Sequence, residues 1–315
     1  MEVDLLDRKL VFVTGKGGVG KTTITAAIGI LASQQGKRTL ICEVDAKGDV
    51  AGLLETRPTG FEPREVQPRL FAMSMDTEAS LREYLQLQLR LPLVARLGPL
   101  ARTFDFVANA APGVKEILIV GKLAYEVRER HYDLVVVDAP ATGHVVGQLA
   151  APQAINDLVR VGLIRNQTDW MLEILEDAAT TGVVIVAAPE EMPVTETLEL
   201  VGRLRTETRV DLAGIVVNRV LPELFGRREE ELFERLREPD ALATLDDAVP
   251  GAVEPVLEGA RLAVTLRRTR AGHLTRLREG ADGVPLLYVP YLFARTQGLR
   301  TTRQIAEALG AELGL

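Results

Sequence analysis

A glycine-rich segment with two lysines, GKGGVGKTT, occupies residues 15–23. It contains the phosphate-loop pattern G-x-x-x-x-G-K-[ST], in which glycines let successive backbone N–H groups approach phosphate oxygens. The lysine of such a loop contacts the β- and γ-phosphates, and the threonine hydroxyl ligates Mg²⁺. The predicted contacts to a bound nucleotide come from Gly15, Lys16, Gly17, Gly18, Val19, Gly20, Lys21, Thr22 and Thr23.

The flanking sequence predicts the elements that such a loop needs. Residues 10–14 are apolar and β-branched, as in a buried strand. After the loop, Ile24, Ile28 and Leu31 recur on one face of a helix that Gly36 ends. Strand, loop and helix together are the context expected of a phosphate loop, because the positive end of the helix dipole then points at the phosphates.

Further apolar runs alternate with helical patterns along the chain. This alternation predicts an α/β fold with a doubly wound, mostly parallel sheet. The remaining predicted strands cover residues 38–44, 70–74, 133–138, 182–188, 211–217 and 284–289.

Two long stretches, about 77–131 and 148–181, carry helical patterns that exceed an ordinary crossover, and they predict an inserted helical subdomain. A third insertion, 222–283, is charged and helical. Within the first stretch an apolar stripe recurs at helical spacing, either facing a groove for a client or packing in the core. The stripe consists of Leu93, Leu97, Leu100, Phe104 and Val107.

The amino-acid composition limits which partners, metal sites and cellular locations are expected. The 315 residues include 37 basic and 44 acidic side chains, a formal charge of −7, so nucleic acid is not expected as a partner. One cysteine, Cys42, excludes an internal disulfide or a Cys-x-x-Cys zinc site. There is no signal-peptide pattern at the N-terminus and no run of about 18 apolar residues, so a cytoplasmic location is predicted.

The second lysine, Lys16, is not needed by an ordinary phosphate loop. The pattern G-K-G-G-x-G-K-T-T resembles the deviant Walker A loop of dimeric ATPases, a group that includes MinD and ParA proteins, the nitrogenase iron protein and the ArsA/Get-type ATPases. The resemblance implies catalytic roles for both lysines, Lys21 in its own site and Lys16 across a dimer interface. The alternative is a solvent-facing loop lysine.

Further segments resemble the ArsA/Get branch in particular. They are YDLVVVDAPATGHVVGQL, which resembles its second switch, LICEVDAKGDVAGLL, which resembles its first switch, and PGVKE and PEEMPVTET. The resemblance covers residues 8–315. Two departures stand out: Ala46 replaces a proline of the first switch, and Ala139-Pro140-Ala141 stands where the family has Thr-Ala-Pro. The chain also lacks the cysteines that hold zinc or metalloid in family members.

The resemblance implies a role for several residues outside the loop. Asp45 would be catalytic by orienting the attacking water, with Asp49 as a second candidate, and the implied Mg²⁺ site comprises Thr22, Asp45 and Asp138. Asn218 would bond adenine. Pro290 and the neighbouring residues Tyr291, Leu292 and Phe293 would flank the base. His144, in the second switch, is either a sensor of nucleotide state or a turn residue.

The resulting prediction is a Mg²⁺-dependent, ATP-hydrolysing ATPase that works as a homodimer or as a heterodimer with a paralogue. It would couple its nucleotide state to an unknown protein or small-molecule client, and the resemblance also allows a peripheral membrane partner. The alternative prediction is a nucleotide-gated scaffold or regulatory binding subunit with negligible turnover, working with a paralogue.

Overall fold

An eight-stranded sheet forms the centre of the protein. The computed structural model describes residues 5–45, 48–89, 113–159, 161–222, 227–249, 251, 253–294 and 296–315. The strands are β1 (Leu10–Gly15), β2 (Thr39–Glu43), β3 (Arg64–Gln67), β4 (Leu70–Ser74), β5 (Leu134–Asp138), β6 (Thr181–Ala187), β7 (Leu212–Val220) and β8 (Leu286–Pro290). Their order is β3-β4-β2-β5-β1-β6-β7-β8, and every neighbouring pair except β3–β4 is parallel.

Helices cover both faces of this sheet. They are α1 (Lys21–Gln34), α2 (Asp49–Leu53), α3 (Thr77–Leu89), α4 (Val114–Arg128), α5 (Thr142–Leu158), α6 (Leu163–Glu176), α7 (Glu191–Glu207), α8 (Arg227–Leu236), α9 (Pro239–Ala248), α10 (Val253–Gly280) and α11 (Leu299–Glu312). Successive residues of β1 point to opposite faces. Leu10 and Phe12 pack with α4–α7, whereas Val11 and Val13 pack with α1 and α11. The predicted doubly wound α/β fold is confirmed.

The strand order places β1 between β5 and β6, with all six of its residues buried. Parallel strands end at a common edge, and ligands of open α/β sheets bind outside those carboxyl ends. Gly15 therefore leaves the sheet in the middle of that edge. Asp138 ends β5 there and is aligned with Glu43, which ends β2.

All seven predicted strands are present, but β3 was not predicted. It pairs antiparallel with β4 at the edge of the sheet, and its four residues are exposed or half-buried. A polar edge strand such as Arg64–Gln67 lacks the apolar run by which buried parallel strands are recognised in a sequence.

The described parts of the two predicted helical stretches are α3, α4, most of α5, and α6. Ile119 and Leu123 of α4 belong to the same hydrophobic cluster as Phe12 of β1, so this helix packs directly on the sheet. The apolar stripe from Leu93 to Val107 lies outside the described residues. The charged insertion 222–283 contains α8, α9 and α10, as its pattern predicted.

A buried ion-pair network connects α3 to α4. The Nζ of Lys122 lies 2.7 Å from carboxylate oxygens of both Glu83 and Glu126 and 5.1 Å from the ring centroid of Phe61. Burial lowers the pKa of Lys122, but the two carboxylates raise it by more, so the net shift is upward. The ammonium is thus held charged inside the helical layer.

Among the helices that the structure describes, none combines the length and the apolar character that crossing a membrane requires.

Candidate nucleotide-binding site

The phosphate loop runs from the end of β1 to the start of α1, and two of its glycines are required by their surroundings. Gly15 has φ +146°, and a Cβ there would lie 2.2 Å from the carbonyl oxygen of Val186. Gly20 has φ +97°, and a Cβ there would lie 2.4 Å from the amide nitrogen of Asn218. Neither position has room for a side chain, so the sequence pattern reflects close approach of backbone to neighbouring strands.

The amino end of α1 faces this loop. Its N-cap is Gly20, which makes no side-chain cap hydrogen bond. The first N–H groups of a helix have no partner within the helix, and together with the helix dipole they favour an anion. The local geometry therefore matches a phosphate site built from backbone groups.

A threonine and a buried carboxylate lie together beside the loop. Thr22 donates a 2.8 Å hydrogen bond from its hydroxyl to Asp138 Oδ2, and Thr25 donates one of 3.3 Å to Oδ1. Burial raises the pKa of Asp138 from 3.8 to about 6, although the hydrogen bond from Thr22 and the charge of Lys21 lower it. Desolvation of the carboxylate thus outweighs its local partners.

This pair fits a magnesium ion. Mg²⁺ prefers oxygen ligands and is usually held by one or two protein groups together with water and phosphate oxygens. The hydroxyl of Thr22 and the carboxylate of Asp138 are such ligands, and a cation would offset the buried negative charge. Across the described ranges, no three or more His, Cys, Asp or Glu side chains cluster as a metal cage.

The two lysines of the loop are placed differently. The Nζ of Lys21 lies 3.4 Å from the carbonyl oxygen of Lys16, which keeps its side chain curled along the loop. Lys16 instead forms an ion pair with Glu196 of α7. The two ammonium groups of the loop therefore have different intrachain partners.

A second buried carboxylate, Glu43, organises the segment after β2. It is 2% exposed, and it accepts hydrogen bonds from the backbone N–H groups of Gly48 (3.1 Å) and Asp49 (2.9 Å). Asp45 lies two residues after Glu43 and is exposed at the carboxyl edge of the sheet. The sequence prediction found Asp45 but missed Glu43, although an acid ending an apolar strand was a signal, since acids are rarely buried without a role.

Asn218 is bound to the phosphate loop. Its Nδ2 donates a 2.8 Å hydrogen bond to the carbonyl oxygen of Val19, and its Oδ1 accepts one of 2.9 Å from the N–H of Arg219. The side chain is 5% exposed. It therefore supports the loop in this structure, a role that the sequence prediction of an adenine contact did not include.

The residues that were predicted to flank the adenine base lie at the end of β8, the strand next to β7, and just after it. Pro290 is the exposed last residue of β8, and Leu292 is half-buried against the cluster that contains α1 and α11. The exposed rings of Tyr291 and Phe293 meet edge to face, with centroids 4.9 Å apart. This aromatic pair, which follows the edge strand β8, provides apolar surface at the end of the molecule where the phosphate loop lies.

His144 and Cys42 occupy contrasting positions. His144 is exposed in the first turn of α5, two residues after Thr142. Cys42 is fully buried in β2, and burial raises the pKa of its thiol to about 12. Because the thiolate is the reactive form, this cysteine is chemically inert at neutral pH.

Comparison with known proteins agrees with the geometry. The family model of anion-transporting ATPases matches residues 8–173 and 163–241, most of the chain. The chain belongs to this family. The ArsA/Get-like resemblance read from the sequence is thereby confirmed at the level of the family.

Several curated members of this ATPase family are similar to the chain. The ATPase BagA of Mycobacterium tuberculosis is 30% identical over 225 residues, which cover 68% of this chain and 66% of the relative. A putative arsenical pump-driving ATPase of Halobacterium salinarum is 27% identical over 291 residues, covering 81% and 44%. An ASNA1 homologue of Paramecium tetraurelia is 27% identical over 254 residues, covering 68% and 75%. The chain thus matches slightly less than two thirds of the mycobacterial relative's length.

Glu196 is the second residue of the family fold that sequence reasoning did not assign. It lies in the segment PEEMPVTET, which was recognised as a resemblance only. Its partner Lys16 is 180 residues away in the chain. No local pattern connects positions so distant, and the pairing became visible only once α7 and the loop were placed together.

Proposed function

We propose that this chain binds ATP with Mg²⁺ and hydrolyses it. The observation that carries the proposal is the 2.8 Å hydrogen bond between Thr22 and Asp138, at the start of α1 and beside the phosphate loop. It brings the two expected oxygen ligands to the place where the loop and the helix dipole favour phosphate. The names of the relatives support the same class of reaction.

Each group would act through its position at the carboxyl edge of the sheet. The backbone N–H groups of the loop and the ammonium of Lys21 would hold the β- and γ-phosphates. Asp45, exposed at the end of β2, would orient the water that attacks the γ-phosphate. Bound Mg²⁺ would supply positive charge against the phosphate oxygens. Asp138 must be ionised to serve as a ligand, so its raised pKa predicts weaker MgATP binding below about pH 6.

We further propose that the active form is a dimer in which Lys16 reaches the partner subunit's phosphates. A cation supplied in this way stabilises charge in the transition state, as an arginine finger does. The dimer would be a homodimer or a heterodimer with a paralogue. Its nucleotide state would be coupled to a client that the chain's chemistry does not name, and a peripheral membrane partner is part of the same proposal.

Calorimetry and a phosphate-release assay test ATP binding and turnover. Lys21→Ala should weaken MgATP binding about 10- to 100-fold, the range expected when a hydrogen bond to a charged group is lost. Lys9→Ala is the matched control, because Lys9 is exposed just before β1, at the opposite end of that strand. Unchanged affinity in Lys21→Ala would refute the site. Tight binding with no phosphate release, in the presence of candidate partners, would instead favour a nucleotide-gated regulatory subunit.

Mixed dimers test whether Lys16 acts across the interface. Lys16→Ala and Asp45→Asn should each be inactive alone, with a loss of about 10³-fold or more in turnover. In a mixed dimer, one site keeps its own Asp45 and receives the partner's intact lysine, so about half of the activity should return. If Lys16 serves its own site, each site lacks one group and no activity returns. The mixture must be shown by mass to contain mixed dimers.

A further inference from the structure

Lys16 is held by a carboxylate of its own chain. Its ammonium pairs with Glu196 Oε1, and the two side chains are 28% and 27% exposed. Two other acids near this end of α7 are placed differently: Glu190, its N-cap, lies 3.6 Å from Arg270, and Glu199 is exposed. A lysine in this ion pair directs its charge at Glu196 and not at a phosphate of another subunit.

Glu196 also contacts the segment that follows β5. Its Oε2 accepts a 3.4 Å hydrogen bond from the hydroxyl of Thr142, the first residue of α5. The segment 138–142 also accepts hydrogen bonds from side chains of β1 and of the start of α1. Asp138 accepts from Thr22 at 2.8 Å, and the carbonyl oxygen of Pro140 accepts from the hydroxyl of Thr14 at 2.8 Å.

We propose that Glu196 is a positioning residue that holds Lys16 inside its own protomer and releases it when the segment 138–142 moves. This inference rests on the proposed function, in which Lys16 serves a partner subunit. At 3.4 Å the bond from Thr142 is longer than the other three side-chain bonds to this segment, which measure 2.8, 2.8 and 3.3 Å, so a shift of the segment breaks it first. Loss of that bond leaves Glu196 less fixed and weakens its hold on Lys16.

The nucleotide-free site provides a reason for such a hold. Lys16 lies one residue after Gly15, at the mouth of a loop whose backbone and second lysine already favour anions. An unpaired ammonium there would attract phosphates whether or not the site was assembled. Pairing with Glu196 neutralises the charge until the segment beside Asp138 changes, so the lysine is delivered only to a site in which that segment has responded.

Chemical labelling measures the hold without any ATPase activity. The probe is an acylating reagent applied to nucleotide-free protein, with the extent of reaction at each lysine read by mass spectrometry. Glu196→Gln should raise the labelling rate of Lys16 about two- to fivefold relative to exposed Lys9, the range of a partly exposed ion pair. Glu199→Gln on the same helix is the matched control and should leave the rate unchanged. Equal rates in all three proteins would overturn the proposal.

A second variant keeps the test decisive if Glu196→Gln does not fold. Thr142→Val removes the hydroxyl that fixes the other oxygen of Glu196, and it should raise the labelling of Lys16 by a smaller factor. Circular dichroism confirms that each variant is folded. Labelling of Lys16 as slow in Thr142→Val as in the wild type would then count against the connection between the segment and the lysine.

The MgATP concentration needed for dimerisation measures the effect of releasing Lys16 from Glu196. In Glu196→Gln the lysine is already released, so half-maximal dimer formation by light scattering should require about two- to fivefold less MgATP than in the wild type. An unchanged midpoint with faster labelling would overturn the regulatory role. Faster labelling in a protein that neither dimerises nor hydrolyses ATP would retain the hold on Lys16 and refute the proposed function, so the two failures are distinguishable.

Discussion

The contact between Gly20 and Asn218 offers a direct test of how the phosphate loop is built. Gly20→Ala places a methyl group 2.4 Å from the amide nitrogen of Asn218, a distance that real side chains do not show. Asn218 must then move, and its hydrogen bond to the carbonyl oxygen of Val19 is lost. Since Val19 is 2% exposed, that carbonyl would be left in the interior without its partner.

The expected loss of stability has two separable parts. Alanine at φ +97° costs about 1–2 kcal/mol because its Cβ is crowded in the left-handed region. An unsatisfied buried acceptor costs a further ~1–3 kcal/mol. Gly18 has φ +85° with nothing within 4 Å of its Cβ position, so Gly18→Ala should show the first part alone. Gly17 has an ordinary φ and open space, so Gly17→Ala should change stability by less than about 0.5 kcal/mol.

Urea unfolding of the three alanine variants measures these costs, and a double variant locates the second part. If Asn218 is the obstacle, then Asn218→Ala should add almost nothing to Gly20→Ala, because the same hydrogen bond is already lost in both. The reasoning would be refuted if Gly20→Ala were as stable as Gly18→Ala. It would also be refuted if the losses of unfolding free energy in Gly20→Ala and Asn218→Ala were additive in the double variant. MgATP affinity measured on the same proteins shows whether support of the loop by Asn218 matters for binding.

Two further predictions concern buried charge. Burial raises the pKa of Asp138 from 3.8 to about 6, so the folded protein binds this proton more tightly than the unfolded chain does. Protonation of Asp138 therefore stabilises nucleotide-free protein by at most about 3 kcal/mol. This contribution is full below about pH 4 and is lost as pH rises through about 6. Asn resembles the protonated carboxyl and does not titrate, so urea midpoints of wild type and Asp138→Asn should be similar near about pH 4 and separate towards about pH 7, with the wild type becoming the less stable protein; parallel profiles would contradict this. Lys122→Met removes the ammonium from the buried carboxylate of Glu126, which keeps its contact with His131 Nδ1, and should destabilise by about 3–5 kcal/mol. Lys115→Met, exposed on the same helix, should cost less than about 0.5 kcal/mol, and equal thermal shifts of the two variants would show that the network contributes nothing.

The parts of the fold that were predictable share one property, which is that their signal is local. The run Leu134–Val137 marks a strand buried on both faces, and GKGGVGKTT marks its loop without reference to any distant residue. The edge strand Arg64–Gln67 has no such signal, because its pairing with β4 and not its composition makes it a strand. The same limit applies to α4, whose helical pattern was evident but whose packing against β1 and β5 was not.

The residues of the candidate site also differ in whether a local sequence signal identifies them. Lys21, Thr22 and Asp138 could be assigned because each lies at a fixed distance from a recognisable strand or glycine. The partner of Lys16 could not be assigned, since Glu196 reaches it from a helix 180 residues away. The hydrogen bond from Asn218 to Val19 is of the same kind: the residue was identified, but its contact depends on how closely β7 approaches the loop.

The register of the sheet adds a connection between the two segments that resemble switches. Glu43 and Asp138 are paired residues at the ends of the adjacent parallel strands β2 and β5. Burial is the main cause of the raised pKa of Asp138, and the negative charge of Glu43 raises it further. A cation bound at Asp138 would therefore also stabilise the charge of Glu43. Glu43 accepts hydrogen bonds from the N–H groups of Gly48 and Asp49, which follow Asp45 by three and four residues in the sequence. If Asp138 holds a cation as proposed, its binding is expected to act also on Glu43 at the end of the adjacent strand, and through Glu43 on the segment that follows Asp45.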